Sequence, residues 1–413
     1  MRNSLFLLLI PLFAYSDSLK ELIVYAKQNN DLLQAKAYQK DAKAKELQSS
    51  QNSYYPTLDL GANYMRHDDP QPFSPQTSYT GFAKLSLDLY SGGKKYNTLK
   101  QKENELSANQ SSYQANKELL SLEITQEFFR LKSMHSALKS KQDAAKSVAA
   151  QLDRMKKFYE AKLTTTDTID RLQAAYDSHI YAIESLRFEI FSLHKKLELK
   201  VGKEILHLDD SILRKTDPTA TKALDAIEAL QAQKKALEFA SETIESSYYP
   251  NIKLEDTYSL FAYEDEPLFS GQKIGLLEKQ NALVLTLNMR VFDFGVLKSS
   301  KEALMFEAKA LESEVLYRTK EQKIDLELAK ERIKSAKINI VSANSTLVAS
   351  KSALTTITEK YTHKLVDNIV YLDALSAHTQ AEATYHEALY KLESAYALYY
   401  FYHGKNIEEY LDE

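Results

Sequence analysis

One stretch could ligate a metal: His378, Glu382 and His386 stand at i, i+4 and i+8, along one face of a helix. Eight helical residues span about 12 Å, too far for both imidazoles to reach one ion, so no metal is assigned. No nucleophile, base and orienting group recur in a catalytic pattern, and no glycine-rich phosphate loop is present. Neither an enzymatic reaction nor a cofactor is expected. The remaining charge pattern lies in segments of period-2 alternation, where Asp59, Lys84, Asp88, Lys253, Glu255, Asn288 and Arg290 share faces opposite to apolar residues. A wall carrying both signs suits a water-filled, weakly selective pore, and equally the wet side of a soluble sheet.

Positioning those side chains requires export and a fold that attaches itself to a membrane. Met1 and Arg2 precede an apolar run from Leu5 to Phe13 and a small-x-small site at Ala14-Tyr15-Ser16, so residues 1–16 read as a signal peptide. No later run reaches the roughly 20 apolar residues of a spanning helix. Cysteine is absent, which excludes disulfides and a lipid-bearing N-terminal cysteine. Net charge is −4, with 53 basic and 57 acidic residues interspersed, so no nucleic-acid footprint stands out. Only 9 glycines and 8 prolines occur, a composition of long helices.

The chain is written twice. Ser53-Tyr54-Tyr55-Pro56 recurs 194 residues later as Ser247-Tyr248-Tyr249-Pro250. Beyond a loop that is longer in the second copy, Tyr159, Lys162 and Leu163 match Tyr361, Lys364 and Leu365 at a spacing of 202. Apolar heptads lead to both tips: Ile124, Leu131, Leu138, Ala145, Leu152, Tyr159, and Leu326, Ile333, Ile340, Leu347, Leu354, Tyr361. A sustained seven-residue repeat predicts left-handed supercoiling. Ala329, Ala336, Ala343 and Ser350 permit close packing three residues after the heptad positions. The expected order is a signal peptide, a first repeat over 17–206, a linker over 207–219, a second repeat over 220–403 and a tail over 404–413. Each repeat reads as helix, strand, loop, strand, very long helix, turn and helix. The helices are expected over about 18–51, 94–161, 167–200, 220–246, 296–361 and 367–402, the long ones about 100 Å each.

Strands are expected at 54–66, 79–91, 249–263 and 281–293, with long polar loops between the members of each pair. Their lengths and terminal tyrosines suit tilted transmembrane strands. Four strands cannot close a barrel, because the smallest bacterial barrels have about 8 and lipid tolerates no open edge. The barrel must be shared, and two or three copies satisfy this.

The paired Tyr-Tyr-Pro strand starts, the turns Leu89-Tyr90-Ser91-Gly92-Gly93 and Val291-Phe292-Asp293-Phe294-Gly295, and the two Tyr-x-x-x-Leu tips resemble the TolC-like outer-membrane efflux proteins over essentially the whole mature chain. The resemblance implies a homotrimer with a twelve-stranded barrel in outer-membrane lipid and a helical tunnel through the periplasm. It also implies a periplasmic adaptor and an inner-membrane efflux transporter or secretion ATPase as partners. In that family a glycine usually precedes the tip leucine, where this sequence has Lys162 and Lys364. The docking tips are then Lys162, Leu163, Thr164, Lys364, Leu365 and Val366. Asp373 matches one of the aspartates that narrow the family's tunnel end, while Val370 stands where another acid is often found. Asp367 is a second constriction candidate by position alone. Tyr159 and Tyr361 are expected to pack in the core at the tips, with a latching hydrogen bond as the alternative. A soluble periplasmic coiled-coil scaffold or adaptor without a pore is the rival reading of the whole chain.

Overall fold

The computed structural model describes residues 18–68, 74–218, 220–264, 268–269, 272–273 and 275–412. The expected signal peptide lies outside the described residues, as do parts of both strand-joining loops. The order is α1 (Leu19–Asn29), α2 (Asp31–Asn52), β1 (Thr57–Arg66), β2 (Thr77–Ser91), α3 (Lys94–Glu160), α4 (Thr166–Val201), α5 (Asp225–Glu245), β3 (Asn251–Glu264), β4 (Leu268–Phe269), β5 (Gln272–Lys273), β6 (Lys279–Asn288), α6 (Val296–Thr362) and α7 (Asn368–Tyr402). Short 3-10 turns follow α5 and close the tail at Ile407–Tyr410. Among the described residues no helix is long and apolar enough to cross a membrane. The chain divides into two units. One holds residues through Lys36, Tyr113–Asp225 and those from Arg318 on; the other holds Ala37–Ser112 and Ala226–Tyr317.

The first unit contains the main core. Phe128, Phe129, Ile124 and Leu131 of α3 pack with Leu19, Leu22 and Ile23 of α1, Leu197 and Val201 of α4, and Tyr400 of α7. Each fully buried side chain of this size contributes roughly 1.5–3 kcal/mol. A second cluster near the helix ends joins Ala144, Val148, Leu152 and Met155 of α3 with Leu172, Tyr361, Tyr371 and Leu375. The heptad positions of α3 are mostly buried, whereas Leu326, Ile333, Ile340 and Leu354 of α6 are only partly covered. Ala329, Ala336 and Ala343 are buried, and so is a heptad of alanines on α7, Ala374, Ala381, Ala388 and Ala395. Residues of both series, Ala343 with Ala381 and Ala388, line one groove, because only a methyl stands between neighbouring backbones there.

Sequence pattern alone gives one opening helix over 18–51, but the chain breaks at Asn30, which is extended at φ −70° and ψ 123°. Asn30 Oδ1 accepts from the Leu33 N–H at 2.9 Å and caps α2. Its Nδ2 donates to the Lys200 carbonyl at 2.8 Å, near the end of α4. The second repeat meets the same need differently. Gln322 of α6 donates to the carbonyls of Tyr402 and Lys222, each at 2.9 Å, and accepts from the Leu224 N–H at 3.3 Å. One buried amide thus satisfies both the end of α7 and the approach to α5. The linker and tail are stitched together beside it: Leu213 bridges Leu411, Arg214 pairs with Asp412 at 3.0 Å, and the Tyr400 ring stacks on Tyr410. Burial pushes the Tyr400 phenol up to about 12, and Tyr399 likewise, with Asp217 beside it adding to the shift.

In the second unit, β1, β2, β3 and β6 form an antiparallel sheet in that order, so β2 and β3 join the two repeats. The register sets Asp59 opposite Lys84, Lys84 opposite Thr257, and Asp88 opposite Lys253 on one face. Leu58, Leu85, Leu283, Leu60 and Tyr258 fall on the other. The fourth strand is shorter than expected: β6 stops at Asn288 and not near 293. Its partner β3 begins at Asn251, just after Pro250, so residues beyond Asn288 meet no ladder. Met289, Arg290 and Val291 therefore lie outside the sheet.

The strand-to-helix turns show how the duplicated halves differ. Gly92 has φ +62°, and a Cβ there would meet Ser246 O at 2.5 Å and Tyr249 Cβ at 2.8 Å. Asn97 Nδ2 donates to Ser246 Oγ at 3.1 Å. The β2-to-α3 turn of the first repeat thus seats on the α5-to-β3 junction of the second. At the matching turn Phe294 has φ 55° and is 89% exposed, and nothing lies within 4 Å of a Cβ on Gly295.

Two outcomes follow for purified protein unfolded by heat. Gln322→Leu strands two carbonyls and one N–H, and should lower stability by about 3 kcal/mol. Gly92→Ala should be several-fold more damaging than Gly295→Ala, since both carry left-handed strain but only the first collides with backbone.

Candidate functional site

The tips are built by helix-ending hydrogen bonds. Leu163 N donates to Phe158 O at 2.8 Å and Lys162 N to Tyr159 O at 2.8 Å; Leu365 N donates to Lys360 O at 2.8 Å and Lys364 N to Tyr361 O at 3.1 Å. This is the Schellman closure, and it forces the residue before each leucine into left-handed backbone. Lys162 and Lys364 have φ of 59° and 60°. A side chain there costs about 1–2 kcal/mol against glycine. Leu163 and Leu365 project at 62% and 72% exposure. Thr164 and Val366 are half-buried, Val366 against the lower core cluster.

The two tip tyrosines part company. Tyr361 is buried and stacks on Tyr371 with ring centres 5.0 Å apart. Burial holds both phenols above their ordinary range, and among the described residues the Tyr361 hydroxyl has no hydrogen-bond partner. Tyr159 is 46% exposed, contrary to a core role in this chain. Phe158 packs against the lower cluster in its place. Two cations sit by that ring, the Arg154 guanidinium at 5.3 Å and the Lys364 ammonium at 5.1 Å from its centre. Arg154 also donates to the Thr362 carbonyl at 3.4 Å, joining the two tips.

Of the constriction candidates, Asp373 is exposed on α7. Asp367 caps α7 by accepting from the Val370 N–H at 3.1 Å, so part of its carboxylate is already engaged. Asp167 accepts from the Thr165 hydroxyl at the other tip. The His378 ring lies 3.4 Å from Ser350 Oγ.

On the polar face of the sheet, Glu255 stands between Lys84 at 2.6 Å and Lys253 at 2.9 Å, and Asp88 pairs with Lys95 at 3.1 Å. Asp59 and Asn288 lie on the same face by register. Arg290 is beyond the strand end and does not belong to this wall. The opposite face is apolar and open: Leu58, Leu60, Leu283, Leu285 and Leu287 are each more than 60% exposed. Polar residues reach it at the strand ends, and Asp256 violates it in the middle of the sheet. Asp256 lies between Leu85 and Leu283 in register, and its Oδ1 is covered with no hydrogen-bond partner among the described residues. The alternation Leu254, Asp256, Tyr258 carries that signal in the sequence itself.

Residues 22–179 match the model of the outer membrane efflux protein family. No curated protein matches the chain in sequence. Solved structures match almost all of it. The CmeC outer membrane channel of Campylobacter jejuni superposes with a TM-score of 0.84 at 13% identity, covering 94% of this chain and 86% of that one. The open-state MtrE outer membrane channel of Neisseria gonorrhoeae gives 0.78 at 16%, covering 94% and 89%. The outer membrane protein VceC of Vibrio cholerae gives 0.77 at 15%, covering 94% and 96%. The expected TolC-like fold of long helices and a four-stranded antiparallel sheet is the fold observed.

A charged carboxylate on an apolar face is destabilising in lipid or detergent. Asp256→Leu should therefore raise the midpoint of thermal unfolding in detergent micelles, by the equivalent of about 1 kcal/mol, whereas Asp59→Leu on the polar face should not.

Proposed function

We propose, with the outer-membrane channel fold and the efflux-family match over residues 22–179 as premise, that this chain is a trimeric outer-membrane channel. It serves as the passive exit duct of a tripartite efflux pump or type I secretion system. The observation that carries the reading is the sheet: one face apolar and exposed, the other charged and internally paired, with both edge strands, β1 and β6, paired on one side only. Such a sheet is stable in lipid only when its edges are closed by further copies. Three copies give twelve strands, the number that the resemblance implies.

The duplication says how copies join. Within the chain, Gly92 to Asn97 seats on Ser246 to Tyr249. The corresponding pair is Phe294 to Ser299 and Asn52 to Tyr55, and both partners are exposed. Neighbouring copies supply the missing contact head to tail, which closes a ring. The exposed apolar faces of α4, with Tyr181, Phe188 and Phe191, and of α6, with Ile338, Val341 and Val348, are covered in the same assembly. The barrel lies in the outer membrane and the long helices extend into the periplasm.

Polar residues of the sheet line the lumen, and Asp373, repeated by symmetry, forms a carboxylate ring at the helix tips that binds multivalent cations. Asp367 serves the α7 cap first. Gating is by the tips: a periplasmic adaptor and an inner-membrane transporter or secretion ATPase engage them, the inner coiled coils untwist, and Tyr361 gains or loses a hydroxyl partner in the change. Energy comes from the partner, and the chain catalyses no reaction.

Planar-bilayer conductance tests this. Wild type should give discrete channels blocked by multivalent cations, and Asp373→Ala should lose that block while conducting. A protein washed from membranes by carbonate and forming no channels would instead be a soluble scaffold.

A further inference from the structure

The same costly backbone recurs at both tips. Lys162 and Lys364 hold left-handed conformations that glycine would adopt without strain. Around them the repeats have diverged: Glu160 stands against Thr362, Ala161 against His363, and Thr164 against Val366. The Lys-Leu pair is kept across each turn, three residues after the matched tyrosines Tyr159 and Tyr361.

Charge at the turns is mixed, with Glu160 exposed two residues before Lys162. The nearest downstream carboxylates face back onto their own helices, Asp367 as the cap on the Val370 N–H at 3.1 Å and Asp167 on the Thr165 hydroxyl. Lys162, His363 and Lys364 are exposed beside the exposed leucines Leu163 and Leu365. The Phe158 ring, 5.1 Å from the Lys364 ammonium, gives that cation a fixed neighbour across the two tips. Each tip therefore presents an apolar knob next to a positive charge.

We infer that Lys162 and Lys364 determine specificity for the docking partner, and that this partner is a protein whose contact surface sets carboxylates around an apolar pocket for the leucine. The inference rests on the proposed docking role of the tips. Carboxylates complement the exposed ammonium groups, whereas a basic partner surface meets like charge. Because the charges are exposed, the preference is strongest at low ionic strength and fades as the Debye length shrinks.

The test uses the full-length protein in detergent and three designed helical-hairpin proteins, identical except for an end loop carrying two glutamates, two glutamines or two lysines beside a leucine-sized pocket. Binding is measured by calorimetry at low and high salt. The glutamate hairpin should bind about 10-fold tighter than the glutamine one at low salt, and the lysine hairpin weakest, with the differences collapsing at high salt. Lys162→Gly with Lys364→Gly, which removes strain, should erase the preference; glutamates at both positions should reverse it. Equal binding of the three hairpins, no binding of any, or a preference that survives the glycine pair would overturn the inference. Conductance is recorded on the same preparation. Channels without a charge preference sink this inference alone, and the absence of channels sinks the duct.

Discussion

A β-strand in lipid has no water to satisfy its backbone, and that constraint organises this chain. Four strands pair as β1, β2, β3 and β6, and the two outer edges remain with unmatched N–H and C=O groups. The side chains repeat the message, since the apolar face is bare while the polar face pairs Glu255 with Lys84 and Lys253. A single chain with such a sheet is an incomplete object. In the proposed assembly, closure by copies would satisfy the edges, cover the exposed apolar faces of α4 and α6, and enclose the charged face around water. The long helices then continue from the strand ends through turns whose geometry leaves little choice, with Asp293 accepting from the N–H groups of Gly295 and Leu297, each at 3.0 Å, at the start of α6.

Duplication offers a means for the proposed closure, and the two halves differ in what lies against their strand-to-helix turns. Gly92 is glycine because the second repeat's backbone lies against it; the equivalent Phe294 has room for a ring, 89% exposed and packed only edge-on to Phe292 among the described rings. The helix junctions show the same logic from another side. Each repeat must satisfy the backbone where two short helices meet beside a long one. Asn30 does so from the junction itself in the first repeat, and Gln322 does so from the long helix in the second. One physical need has been met by two unrelated residues, which is why a comparison of the halves by sequence misses it.

At the tips, backbone geometry and chemistry are in tension. A Schellman closure favours glycine, yet lysine occupies the position twice at φ near 60°. The two tip tyrosines occupy equivalent positions of the heptad series, but only Tyr361 is buried, because Phe158 takes the core position on the first tip. The halves are therefore not interchangeable at the helix tips.

Much of this was legible beforehand. Seven-residue spacing located both long helices within one residue of their ends, and period-2 alternation found all four strands, because local periodicity reports directly which face of an element is buried. The break at Asn30, the early end of β6 and the exposure of Tyr159 were not legible, since each depends on a partner distant in sequence: Lys200, the start of β3, and Phe158 in the tip cluster. Asp256 could have been found from its place in the alternation. By itself the sequence determined the duplication and the element types, which follow from local pattern, and hydrogen-bond accounting raised the expectation of more than one copy. The tertiary structure alone decided which carboxylates are spent on helix caps, which tyrosine is core, and which way the tip lysines face, because those depend on groups that only folding brings within bonding distance.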